Sequence, residues 1–136
     1  MNQVVVKQEK SGYQIVEAYK SLRTNLQFCG EDKKVIAITS CTPNEGKSSV
    51  SMQLGISLAE IGKRVILIDA DLRKSVLLGR TKTEKSVRGL AHFLSGQASL
   101  EDVICATNIK NFYMIYSGPF PPNPAELLGG KNFRSL

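Results

Sequence analysis

Hydrophobic positions change period several times along the chain, and each change predicts an element. From Tyr13 onward, Ile15, Tyr19, Leu22 and Leu26 fall at spacings of four, three and four, which is one face of a helix ending near Gly30. Glu17, Lys20 and Arg23 recur every third residue on its other side, a charged stripe whose plain reading is a solvated face with i,i+3 pairing. Lys34 to Ser40 is a short continuous apolar run, as expected for a strand buried on both faces of a parallel sheet. Pro43 and Asn44 then break the pattern in a loop from Cys41 to Gly46. The helical period returns at Lys47, with Val50, Leu54, Leu58 and Ile61 on one face and Gly62-Lys63-Arg64 as a stop signal. Val65 to Asp69 follows as a second buried-strand run, so strand, loop, helix and strand make a βαβ unit.

The flanks are less regular. Residues 1–12 are polar apart from Val4 to Val6 and read as a flexible arm. Gly89 to Leu94 and Ser99 to Cys105 predict two short helices, the second capped by Ser99 with Glu101 and Asp102 in its first turn. Phe112 to Tyr116 is a third strand, Ser117 to Pro122 a rigid loop, and Asn123-Pro124 the start of a last helix through Leu128.

Composition narrows the class. A chain of 136 residues with 42% hydrophobic and 22% charged positions fits one folded domain rather than a disordered tail. No stretch approaches the roughly 18 apolar residues of a membrane span, and the N-terminus lacks a signal-peptide core, so a cytoplasmic location is expected. Cys29, Cys41 and Cys105 are odd in number without C-x-x-C spacing, which suggests neither a disulfide framework nor a zinc site. The net charge of +6 is concentrated between Asp71 and Arg88, where Arg73, Lys74, Arg80, Lys82, Lys85 and Arg88 face only Asp71 and Glu84. No aromatic side chain lies in that run to stack on bases, so no nucleic-acid partner is expected.

The strongest chemical signal is Cys41-Thr-Pro-Asn-Glu-Gly-Lys-Ser48, the phosphate-binding P-loop pattern with Cys41 in place of the usual opening Gly or Ala. A bare Gly-Lys-[Ser/Thr] arises by chance in roughly one chain in fifteen of this length, so the strand before it and the helix after it carry the argument. In that context the backbone N–H groups of Asn44, Glu45, Gly46, Lys47 and Ser48 face phosphates at the positive helix end, with Ser49 following. Lys47 reaches the β/γ oxygens and Ser48 ligates Mg²⁺. At the end of the next strand stands Asp69-Ala-Asp71-Leu-Arg73. Two carboxylates at a strand's C-terminal edge beside a P-loop are placed to hold the Mg²⁺ shell or take a proton from an incoming hydroxyl, with Arg73 near phosphate. Cys41, beside those N–H groups, is a candidate for thiolate redox sensitivity. His92 reads as a packing or surface residue rather than a base.

Five segments in order resemble the bacterial tyrosine kinases of the capsular and exopolysaccharide biosynthesis family. They are Glu17 to Asn25, the P-loop, Leu67 to Lys74, Gly89 to Gly96 and Gly118 to Leu128. The resemblance implies a P-loop NTPase α/β fold, a doubly wound and mostly parallel sheet with flanking helices, covering residues 13–136 as a partial kinase domain. It implies ATP and Mg²⁺ as cofactors, Lys47, Asp69 and Asp71 as catalytic residues, and Ser48, Asp69 and Asp71 around the metal. Family members phosphorylate their own C-terminal tyrosine cluster, are stimulated by a membrane adaptor at the inner face of the membrane, and are opposed by a tyrosine phosphatase. They oligomerise through a Glu-x-x-Arg-x-x-Arg helix, matched here by Glu17, Lys20 and Arg23. Lys20 keeps the charge of the middle position without its bidentate geometry. The family's third nucleotide motif, an apolar strand ending in Asp, and its tyrosine tail are not found before Leu136. Tyr13, Tyr19, Tyr113 and Tyr116 are scattered. The chain is therefore expected to be truncated and to have little autokinase activity by itself. Two other readings remain open: a partition or division-site ATPase, which would carry a lysine where Thr42 stands, and a nucleotide-binding regulatory fragment without kinase activity.

Overall fold

The computed structural model describes residues 1–8, 10–42, 46–83 and 86–136. Among them a five-stranded sheet has the order β2-β5-β4-β1-β3, with β1 Asn2–Val6, β2 Val65–Ile68, β3 Thr81–Thr83, β4 Cys105–Thr107 and β5 Phe112–Ile115. The helices are α1 Tyr13–Phe28, α2 Lys47–Glu60, α3 Leu90–Leu94, α4 Leu100–Val103, α5 Pro124–Gly129 and α6 Lys131–Arg134. The expected α/β class is present, but the sheet is mixed rather than mostly parallel. β2 with β5 and β1 with β4 run parallel, whereas β1 with β3 and β4 with β5 run antiparallel.

Helices cover both faces because β5 is apolar on both. Phe112, Met114 and Tyr116 point to one side, where they meet Met52, Ile56 and Ala59 of α2 together with Val4 and Val6. Ile115 points to the other side and packs with Leu72, Leu90, Leu94 and Val103. That alternation is the period of two of a strand. Gly55 allows α2 to lie close on β5, since a Cβ there would come within 2.7 Å of the Phe112 ring.

Several expectations are corrected. Residues 2–6 are not a flexible arm: Val4 and Val6 are buried while Val5 faces out, and β1 pairs with both β3 and β4. The apolar run from Lys34 to Ser40 carries no strand pairing, and Val35 is 94% exposed, because the sheet ends at β2 and offers this segment no neighbouring strand. The second short helix ends at Val103, and Cys105 instead opens β4 as a fully buried residue. Part of the basic loop is β3, an edge strand. Helix α2, β2, β5 and α5 fall where the periodicity places them, and α6 is an addition.

The helix over Tyr13–Phe28 forms, but its apolar stripe is not fully used. Tyr19 and Leu26 are half-buried, whereas Ile15 and Leu22 are exposed, and α1 packs mainly on α2 among the described elements. Ser99 caps α4 as expected: its hydroxyl accepts the Asp102 N–H, and the Asp102 carboxylate accepts the Ser99 N–H in return. His92 is structural, its Nδ1 accepting the Gly89 N–H at 3.0 Å at the start of α3.

Candidate phosphate-binding site

The site lies at the N-terminus of α2, beside the C-terminal end of β2. Gly46 takes φ 80° as the residue before the helix, a left-handed conformation that favours glycine, and its carbonyl accepts the Val50 N–H at 2.9 Å. Lys47 opens the helix, and Ser48 and Ser49 follow in its first turn, half-buried. Asn44 and Glu45 lie outside the described residues, as do Pro43, Glu84 and Lys85. Cys41 is exposed at the start of the loop.

On the facing element, the β2–β5 ladder ends with the Asp69 N–H donating to the Ile115 carbonyl at 2.9 Å. The chain then turns sharply, and the two carboxylates organise the turn. Asp69 Oδ1 accepts the Asp71 N–H at 3.1 Å, and Asp71 Oδ1 accepts the N–H groups of Arg73 at 3.3 Å and Lys74 at 2.9 Å. Leu72, 2% exposed, anchors the turn in the core between these polar residues. The Ser75 hydroxyl donates to Asp69 Oδ2. Nothing in the sequence pattern singles out Ser75, because the turn that returns it to Asp69 is set by the carboxylate bonds and by Leu72.

The sequence-derived residues converge in part. Lys47 Nζ lies 4.0 Å from Asp71 Oδ2, so the P-loop lysine and the second carboxylate meet across the gap between α2 and the end of β2. Asp69 is 7% exposed, and burial pushes its carboxyl above the usual range, opposed by the bonds from Ser75 and from the Asp71 backbone. Arg73 contributes a backbone bond to Asp71, while its side chain is exposed. Asp69, Asp71 and the Ser48 hydroxyl are hard oxygen donors, and a pair of carboxylates completed by phosphate oxygens is the set that Mg²⁺ takes. Among the described residues no group of three His, Cys, Asp or Glu side chains offers an all-protein metal cage.

The charged stripe of α1 divides. Lys20 Nζ pairs with Glu17 Oε1 at 3.3 Å on the surface. Arg23 turns inward instead: its Nη1 donates to the Ser57 carbonyl at 2.8 Å and to the Ser57 hydroxyl at 3.2 Å, with Glu60 at 3.9 Å. Spacing alone shows the stripe but not which member leaves it. No helix among the described residues is long and apolar enough to cross a membrane.

The AAA domain family matches residues 33–119. Tyrosine-protein kinase CpsD of Streptococcus agalactiae is 44% identical over 120 residues, covering 88% of this chain and 52% of that protein. Among solved structures, the BceF tyrosine kinase domain is 42% identical with a TM-score of 0.78, and the kinase domain of the Escherichia coli tyrosine kinase ETK is 36% identical with a TM-score of 0.81. Each match covers 88% of this chain and 48% of the solved one. The chain thus spans about half the length of the relatives it matches.

Proposed function

Because the chain belongs to the AAA domain family, we propose that it serves an ATP-dependent protein-tyrosine kinase that regulates capsular or exopolysaccharide synthesis and export. The relatives named above are tyrosine kinases. The observation that carries the reading is the approach of Lys47 Nζ to Asp71 Oδ2 beside the buried Asp69.

The roles follow from placement. Lys47 neutralises the β and γ phosphate oxygens, and the first N–H groups of α2, including those of Ser48 and Ser49, point at the phosphates from the positive helix end. Ser48, Asp69 and Asp71 would hold Mg²⁺, which would supply charge neutralisation at the phosphates when bound. The Asp69 and Asp71 pair also takes the proton of the acceptor tyrosine as its oxygen bonds to the γ-phosphorus and ADP leaves. Arg73, on the same turn, adds positive charge at the phosphates. The resemblance further supports a membrane adaptor as activator, an opposing phosphatase, and self-assembly through Glu17, Lys20 and Arg23.

Incubation with ATP, Mg²⁺ and a glutamate–tyrosine copolymer tests the reading in the presence of the adaptor. Phosphotyrosine is expected, together with loss of both ATP binding and phosphotyrosine in Lys47→Met. Unchanged ATP binding in that variant sinks the site. Release of phosphate to water with no phosphotyrosine would replace the kinase by a switch ATPase.

A further inference from the structure

Asp69 is the buried member of the carboxylate pair, and its side chain is tied at both oxygens. Oδ1 accepts the Asp71 N–H at 3.1 Å, and Oδ2 accepts the hydroxyl of Ser75, six residues further on. The first bond is local and closes the turn. The second depends on where the chain goes next. Leu72, 2% exposed, enters the cluster around Leu90 and Ile115 on one side of the sheet, whereas Leu77, 4% exposed, enters the cluster around Met52 and Phe112 on the other. The chain between these anchors passes from one face to the other, and Ser75 is held on that crossing, just before a 3-10 turn over Leu77–Arg80. Arg73 and Lys74 give their N–H groups to Asp71 Oδ1, so Ser75 is the residue of this segment whose side chain reaches Asp69.

We propose that Ser75 is a positioning residue of the nucleotide site, whose hydroxyl fixes the plane of the Asp69 carboxylate for Mg²⁺. The inference rests on the ATP reading above. The torsion that turns an aspartate carboxylate is broad, without a sharp preference of its own. One bond to Oδ1 lets the plane swing about that oxygen, whereas a second donor on Oδ2 stops it. Each carboxylate oxygen has two lone pairs, so each keeps one after these bonds, and a fixed plane decides where those two are aimed. Mg²⁺ tolerates little departure from octahedral geometry and gives up its waters reluctantly. A carboxylate that meets the ion directly, or through one of those waters, therefore gains from being aimed beforehand. Burial makes the tie matter, because at 7% exposure Asp69 has little water to replace a lost hydroxyl. Asp71 needs no such helper: its Oδ1 takes two backbone N–H groups, and its Oδ2 faces Lys47 Nζ at 4.0 Å. Ser75 thus acts through Asp69 and not on the phosphates themselves.

Binding of a fluorescent, non-hydrolysable ATP analogue to the chain, measured in Mg²⁺ and again in EDTA, tests the proposal. Mg²⁺ should tighten binding to the parent. Ser75→Ala should keep its affinity in EDTA within about twofold of the parent and lose about 10- to 100-fold in Mg²⁺, the range for removing an outer partner of a metal ligand. Ser75→Thr, which keeps the hydroxyl, should recover most of that loss. Ser75→Ala combined with Asp69→Asn should cost no more than Asp69→Asn alone, because the two act as one unit. Equal losses in Mg²⁺ and in EDTA would assign Ser75 to the fold alone and overturn the proposal. So would a Thr variant as weak as Ala, or additive losses in the double variant. If Mg²⁺ does nothing for the parent, or Lys47→Met binds as the parent does, the nucleotide site itself fails and takes this inference with it. If those controls behave as expected and Ser75→Ala still matches the parent, this inference alone fails.

Discussion

Replacing Arg23 by Ala removes the polar tie between α1 and the last turn of α2. The Ser57 carbonyl belongs to that last turn, and the N–H of Ile61, which would ordinarily close onto it, bonds to the Ala59 carbonyl instead. Arg23 fills the gap with bonds of 2.8 and 3.2 Å to the Ser57 carbonyl and hydroxyl. Ser57 is buried, 6% exposed, so water does not readily replace the guanidinium. Hydrogen bonds to a charged group contribute about 1.5–3 kcal/mol, and leaving a buried acceptor unmet costs a similar amount. The Glu60 contact adds little: at 3.9 Å, with a side chain 59% exposed, it is a surface pair of about 0–1 kcal/mol. The expected loss is about 2–3 kcal/mol in urea denaturation, or on the order of 10 °C in melting temperature. Exchange should quicken along α1, which has no fully buried residue to hold it otherwise. Arg23→Lys should recover part of the loss, and Glu60→Gln should change stability little. An Arg23→Ala variant within about 0.5 kcal/mol of the parent would refute this account, as would an equal cost at Glu60. The outcome also bears on assembly, since an interface that recruits Arg23 must first withdraw it from Ser57.

Other perturbations give distinct readouts. Gly55→Ala gains helix propensity of about 1 kcal/mol but drives a Cβ to 2.7 Å from Phe112, and overpacking of about 1–3 kcal/mol should prevail, giving a net loss in urea denaturation; a stabilised variant would contradict the close approach of α2 to β5. Asp69 has its carboxyl raised by burial, so the native state holds its proton more tightly than the unfolded chain; the wild type should lose stability relative to Asp69→Asn as pH rises from 3.8 through the raised value, and parallel pH profiles would refute this. Burial likewise raises the Tyr116 hydroxyl above 10.0, so its contribution is complete below pH 10 and lost as pH rises further; Tyr116→Phe should flatten that alkaline fall, measured by denaturation at pH 9 and pH 11.

Local pattern determined a good part of this protein. Helix α2, with its glycine entry at Gly46 and its stop at Gly62, follows from a 3.6-residue period and turn chemistry within one segment, and β2 and β5 follow from apolar runs. The P-loop lysine and the paired carboxylates were legible for the same reason, because each motif is contiguous. What brings them together is the packing of α2 against β2, and their actual approach of 4.0 Å required the structure. Tertiary structure alone decided the rest. Residues 2–6 form a strand because their partners lie some 75 to 105 positions away, at Thr81–Thr83 and Cys105–Thr107, and no window on the sequence holds both sides. Residues 34–40 and Val65–Ile68 carry the same kind of apolar run, yet only the second is paired, since a strand exists by virtue of its neighbour and β5 stands beside one and not the other. Arg23 shares its helix face with Glu17 and Lys20 by spacing, and only the proximity of an unmet carbonyl at Ser57 turns it inward. Covalent order sets period and motif; hydrogen-bond pairing across long separations sets which of those motifs the fold can use.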